Sequence, residues 1–187
     1  MAHTFDAIET ERLRLRPFVS EDLDTFHAYR ADPAVAQFQG WEDFTREDAR
    51  AFLDQQLALT PGTPGTGAQI AIERKADASM VGDVFFYRPN DEPPRAQIGY
   101  TLQREAWGHG YASEAVRGLL GYAFDVLALH RVTALTDVEN ERSIALLERV
   151  GMRREAHFVE NEWFKGRWCS EFVYAMLRRE WRAGEGT

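Results

Sequence analysis

Two periodicities divide this chain. Apolar residues three and four apart line one face of a helix, whereas apolar and polar residues in strict alternation mark a half-buried strand. The longest helical stripe is Ala112, Ala115, Val116, Leu119, Leu120, Ala123, Phe124 and Leu127. It follows a strand beginning at Ala96, across the turn Trp107-Gly108-His109-Gly110-Tyr111-Ala112. Upstream, residues 12–18 alternate arginine with leucine and predict a strand with an arginine-bearing solvated face. Ser20 ahead of Glu21, Asp22 and Asp24 starts a helix that should stop near Asp32-Pro33, because the residue before a proline is driven from the helical region. Thr45-Arg46-Glu47-Asp48 reads as a capping box with aspartate in the closing position, and Ala49, Phe52, Leu53 and Leu57 mark the helix behind it.

The glycine- and proline-rich residues 61–67 form a loop, and residues 68–74 and 80–88 a hairpin. Residues 89–94 interrupt again before the central strand. Residues 131–136 are a β-branched strand, so strand, long helix and strand predict a parallel pair with a right-handed crossover. Residues 141–150 are a short helix closed by Gly151, and residues 153–163 and 167–177 a final hairpin about Lys165-Gly166. The tail, residues 183–187, is expected to be disordered.

Composition bounds the function. With 187 residues, 44% hydrophobic and 28% charged, the chain reads as one globular domain with its core in residues 8–180. Thirty acidic against 22 basic residues give a formal charge of −8, which disfavours nonspecific nucleic-acid binding and slightly favours cationic substrates. No apolar run of about 20 residues offers a membrane span and no basic, apolar leader opens the chain, so a cytoplasmic protein without a membrane partner is expected. Cys169 is the only cysteine, which excludes an internal disulfide, and a lone thiol on an apolar strand reads as core filler. His27 has no partner at metal-ligand spacing, and no metal is expected.

The turn at 107–112 carries the chemistry. It delivers a helix N-terminus, where unpaired N–H groups and the positive end of the helix dipole face outward, and its two glycines let an anion such as a pyrophosphate approach the backbone. A P-loop would need Gly-Lys-Ser/Thr, which is absent. A dinucleotide fingerprint would need a third glycine where Ser113 stands.

The strand end Ile98-Gly99-Tyr100-Thr101-Leu102 with the following Trp107 to Ala115 resembles the acetyl-CoA loop of the GNAT N-acetyltransferases, whose pattern is Gln/Arg-x-x-Gly-x-Gly/Ala. Asn140-x-x-Ser143 with Leu147, Val150, Gly151 and Met152 resembles that family's second cofactor-contact segment. The opening Thr10-Glu11-Arg12-Leu13-Arg14-Leu15-Arg16 and the closing Trp163-Phe164-Lys165-Gly166 resemble its RimJ/RimL branch, the ribosomal-protein-alanine N-acetyltransferase type. The resemblance implies an α/β (α+β) acyl-CoA N-acyltransferase fold, a mixed central sheet of six to seven strands with about four helices. It implies acetyl-CoA as cosubstrate, held by Trp107, Gly108, His109, Gly110, Tyr111, Ala112 and Ser113. Its pantetheine arm would lie between two splayed strands, against main chain at Thr101 and Leu102 and beside Asn140 and Ser143. Trp107 departs from the pattern, since it occupies the Gln/Arg position and removes a side-chain contact to phosphate.

Direct acetyl transfer to an amine requires a neutral amine, a polarised carbonyl and a proton for the leaving thiolate. An α-amine near pKa 8 is about one-tenth neutral at pH 7, against well under about one part in a thousand for a lysine, a gap of roughly 3 kcal/mol. An α-amine acceptor therefore needs only a modest base. The glutamate that many family members carry on the central strand is missing, for this strand reads Gln97, Gly99, Tyr100 and Thr101. By the resemblance, the base falls to Glu162 and the thiolate acid to Ser143; the alternatives are a solvated hairpin carboxylate and an ordinary helix residue. Phe38 and Trp41 either line the acceptor pocket with Glu162 or, for Trp41, close the edge of the core. The expected acceptor is a peptide or protein N-terminal amine. A polyamine, an amino acid, an aminoglycoside-like antibiotic or a non-catalytic CoA sensor stand as alternatives, and a homodimer is possible.

Overall fold

The computed structural model describes residues 4–184. Its strands are β1 (Ile8–Glu9), β2 (Leu13–Arg16), β3 (Thr66–Arg74), β4 (Ser79–Arg88), β5 (Arg95–Leu102), β6 (Arg131–Asp137), β7 (Arg153–Phe164) and β8 (Arg167–Leu177). Its helices are α1 (Leu23–Arg30), α2 (Pro33–Ala36), α3 (Arg46–Leu57), α4 (Tyr111–Gly121), α5 (Glu141–Arg149) and α6 (Arg178–Gly184). The strands form one mixed sheet in the order β1-β2-β3-β4-β5-β6-β8-β7. Only β5 and β6 run parallel; every other neighbouring pair is antiparallel.

The local signals act where they stand. Leu13 and Leu15 are buried while Arg14 between them faces solvent, as alternation requires. Thr45 and Asp48 close a reciprocal capping box at α3, the threonine side chain accepting from Asp48 N. Gly151 ends α5 at φ 89°, in the left-handed region that a glycine enters without a Cβ penalty. Two clusters form the core: one packs α4 against the sheet, and the other packs α1 and α3 around Phe26.

Four features differ from the pattern-based expectation. The sheet has eight strands because the two-residue β1 joins it, pairing Ile8 with Leu15; two residues carry no periodicity to detect. The helices number six. After Asp32 the chain restarts as α2, with Pro33 in its first turn, where a missing N–H costs nothing, and the Asp32 carboxylate accepting from Ala34 N. The long helix is α-helical only to Gly121 and then widens into a π-turn over Tyr122–Val126, with Leu127 N donating to Tyr122 O. Ala183 and Gly184 belong to α6 rather than to a disordered tail; residues 185–187 lie outside the described residues. Among the described residues no helix is long and apolar enough to cross a membrane.

The feature that positions the site is a split in the sheet. β5 and β6 pair from Arg95↔Arg131 to Ile98↔Ala134 and then part. Beyond that point β5 stays with β4 as far as Leu102↔Gly82, and β6 stays with β8 as far as Asp137↔Glu171. The gap opens at the C-terminal ends of both strands, where α4 and α5 begin.

Candidate active site

A cavity of about 180 Å³ occupies the gap. β5 contributes Ile98, Gly99 and Tyr100 to its wall, and β6 contributes residues 134–137. Asn140 and Ser143 reach it from the start of α5, Glu162 and Phe164 from β7, Cys169 and Glu171 from β8, and Phe38 and Gln39 from the loop after α2. One tie joins the last two sides: Lys165 Nζ at the hairpin tip donates to Ala36 O at 2.6 Å.

Asn140 caps α5, its Oδ1 accepting from Ser143 N at 3.1 Å. That bond fixes the first turn and presents Ser143, whose Oγ lies 2.7 Å from the Tyr100 hydroxyl. Burial pushes the Tyr100 phenol up to about 12, and the contact with Ser143 offsets this only in part. Tyr100 thus stays protonated, and its hydroxyl shares a hydrogen bond with the Ser143 hydroxyl at the cavity wall. The Glu162 side chain makes no hydrogen bond or ion pair among the described residues and is exposed. The other two carboxylates of the wall are engaged. Asp137 accepts from Glu139 N at 2.7 Å, and Glu171 accepts from Asn161 Nδ2 at 2.6 Å. Cys169 is buried, and burial with the nearby Asp137 pushes its thiol up, so it lies in the wall as a neutral group rather than a nucleophile.

The glycine turn follows β5, one side of the gap, and leads into α4. Gly108 and Gly110 adopt φ 78° and 79°, and Gly110 is the N-cap of α4. Because the cap has no side chain, the first N–H groups of α4, at Tyr111, Ala112 and Ser113, are left without an internal acceptor. Trp107 is locked by Nε1 donating to Leu102 O at 2.9 Å. His109 is exposed, with Nδ1 2.9 Å from Trp107 O and its ring stacked on Tyr111 at 5.7 Å.

The structure therefore brings Phe38, Tyr100, Asn140, Ser143 and Glu162 to one cavity and sets Trp107 to Ser113 beside it. Three expected residues sit elsewhere. Trp41 does not line the cavity; its ring covers the Arg30 guanidinium at 4.0 Å and its Nε1 donates to Arg30 O at 2.9 Å. Arg30 is almost fully buried and pairs with Asp83, so an aromatic face is what shields this charge. Thr101 and Leu102 are buried beyond the cavity wall, paired with Asp83 and Gly82 of β4. Sequence reasoning assigned no role to Tyr100, Asp137 or Glu171, which segments distant in sequence bring to one cavity wall. It also passed over Glu114, which holds the glycine turn to the N-terminal strand through Thr10 and Arg12.

A family model described as an acetyltransferase (GNAT) domain matches residues 12–153. An uncharacterized N-acetyltransferase p20 of Bacillus licheniformis is 34% identical over 177 residues, 94% of this chain and 98% of that protein. A putative ribosomal N-acetyltransferase YdaF of Bacillus subtilis is 33% identical over 105 residues, 56% of this chain and 57% of that one. A crystal structure of a GNAT-family acetyltransferase from Bacillus anthracis superposes with TM-score 0.84 at 29% identity, covering 92% of this chain and 99% of that one. The overall fold is thus shared, and the chain belongs to the GNAT acetyltransferases, as an acetyl-CoA-dependent acyltransferase.

Proposed function

We propose that the protein moves the acetyl group of acetyl-CoA directly to a peptide or protein N-terminal amine, with Glu162 as base and Ser143 as acid. The observation that carries this reading is the placement, in one cavity, of an unengaged carboxylate and a serine hydroxyl held by Tyr100. The diphosphate rests on the main chain from Trp107 to Ser113, and the pantetheine arm enters between β5 and β6 beside Asn140. Glu162 removes a proton from the ammonium, and the neutral amine attacks the thioester carbonyl. As the tetrahedral adduct collapses, the C–S bond breaks, Ser143 passes its proton to the departing sulfur, and the proton shed by the adduct nitrogen as the amide forms replaces the one the serine gave up. An α-amine suits this site because a group already about one-tenth neutral at pH 7 asks little of its base.

A second acceptor class is favoured by the wall itself. Asp137, Glu162 and Glu171 set three carboxylates around the cavity, which suits a polycation such as a polyamine and repels the carboxylate of a free amino acid. The test is thiol release from acetyl-CoA with peptides of varied first residue, polyamines, amino acids and aminoglycosides. The reading predicts the highest kcat/KM on peptides and none on free amino acids. A polyamine outrunning every peptide transfers the assignment to the second class, and turnover on none removes both.

A further inference from the structure

Trp107 leaves the glycine turn without the side chain that usually meets phosphate there, and α5 reaches across to that spot. The Arg142 guanidinium lies over the Trp107 ring at 4.4 Å. One helical repeat on, on the same face of α5, Arg149 Nη1 comes to 3.5 Å from Ser113 Oγ in the first turn of α4. Arg117 of α4 faces the same seam and donates to Arg149 O at 3.0 Å. All three arginines are exposed, and among the described residues none holds a carboxylate. Other arginines of the chain, among them Arg12, Arg14, Arg16, Arg95, Arg131 and Arg153, do have carboxylate partners. Three neighbouring cations beside the positive end of a helix repel one another, and an anion between them relieves the repulsion.

We propose that Arg142 replaces the missing motif side chain and pairs with the diphosphate of acetyl-CoA, with Arg149 adding a second cation at Ser113. The proposal rests on the glycine turn being the diphosphate cradle. Trp107 then has a use of its own: a flat face that holds the guanidinium at the rim of the turn, so the charge that the loop lacks is supplied by the neighbouring helix. A guanidinium meets phosphate oxygens through two parallel hydrogen bonds, which an ammonium cannot match.

The test compares Arg142→Gln, Arg149→Gln and the double variant with the wild type, each verified by circular dichroism. Calorimetric titration with CoA should show about tenfold weaker binding for Arg142→Gln and a shallower salt dependence. kcat at saturating acetyl-CoA should be unchanged. The loss should persist with 3′-dephospho-CoA, which keeps the diphosphate, and disappear for acetyl-pantetheine, which has no phosphate. Arg142→Lys should restore binding only in part. Wild-type affinity in Arg142→Gln, or an equal loss on acetyl-pantetheine, overturns the proposal, and a loss confined to CoA over its 3′-dephospho form overturns the diphosphate assignment. The underlying reading fails separately, if Gly110→Val binds CoA as the wild type does.

Discussion

Arg12 and Glu114 are tied by two hydrogen bonds across 102 residues of chain, Nε to Oε2 and main-chain N to Oε1, each 2.7 Å long. Thr10 Oγ1 adds a third to Oε1 at 2.6 Å, and Arg12 Nη1 donates to His109 O at 3.0 Å. One carboxylate in the first turn of α4 therefore gathers the N-terminal strand and the glycine turn together. Burial by itself raises the Glu114 carboxyl, but the bonds from Thr10 and Arg12 outweigh it and hold the group below its ordinary value.

A folded-state pKa below the unfolded one means stability present above the unfolded value, near 4.5, and lost as pH falls through the folded value. Glu114→Gln should therefore cost about 1–2 kcal/mol at pH 7 and almost nothing well below pH 4. Urea unfolding of both proteins from pH 7 to pH 3 checks this. A gap that does not close on acidification assigns the cost to packing instead of charge.

The two glycines of the turn separate strain from crowding. Nothing lies within 4 Å of a Cβ placed on Gly108, whereas on Gly110 it would stand 3.4 Å from Arg12 Nη2. Gly108→Ala should cost about 1 kcal/mol of stability through its left-handed φ alone. Gly110→Val should cost more and also weaken CoA binding at least about tenfold, because a branched side chain stands where the anion approaches. Thermal melts with and without CoA distinguish them: Gly108→Ala retains the ligand-induced shift and Gly110→Val loses it.

For the chemical step, Glu162→Gln should lower kcat by about 10² and leave the KM for acetyl-CoA unchanged. Ser143→Ala should lower kcat by about tenfold or more, and Tyr100→Phe by less. In the Ser143→Ala background the Tyr100→Phe change should then cost nothing further, since Tyr100 acts through the serine hydroxyl. Additive losses would show that the two hydroxyls act independently.

Trp41 serves as a control for the cavity boundary. Trp41→Ala should destabilise the fold by about 2–3 kcal/mol, through lost packing and an uncovered Arg30, with acceptor KM unchanged. A raised acceptor KM in a protein of intact stability would place Trp41 in the acceptor site.

Much of the fold was legible because its signals are local. The Leu13 and Leu15 alternation, the Thr45 capping box and the Gly151 terminus each depend on a few consecutive residues, and each appears where the pattern puts it. Asn140 was legible for the same reason, since a cap and the N–H it accepts from are three residues apart. What escaped depends on partners distant in sequence. β1 exists because Leu15 lies opposite Ile8, Trp41 is drawn away by the buried Arg30, and Glu114 matters only once β2 lies beside α4. A seven-residue face of α5 reads as solvated until Trp107 is seen beneath Arg142.

The Lys165-to-Ala36 bond has a consequence for how such a protein diversifies. It joins the loop carrying Phe38 to the tip of the last hairpin, and among the described residues no hydrogen bond or ion pair ties either segment to the glycine turn. If the proposed acceptor site is right, mutations in either would reshape which amine is admitted while the thioester carrier stays in place, and acceptor preference and carrier binding would be inherited as separable traits.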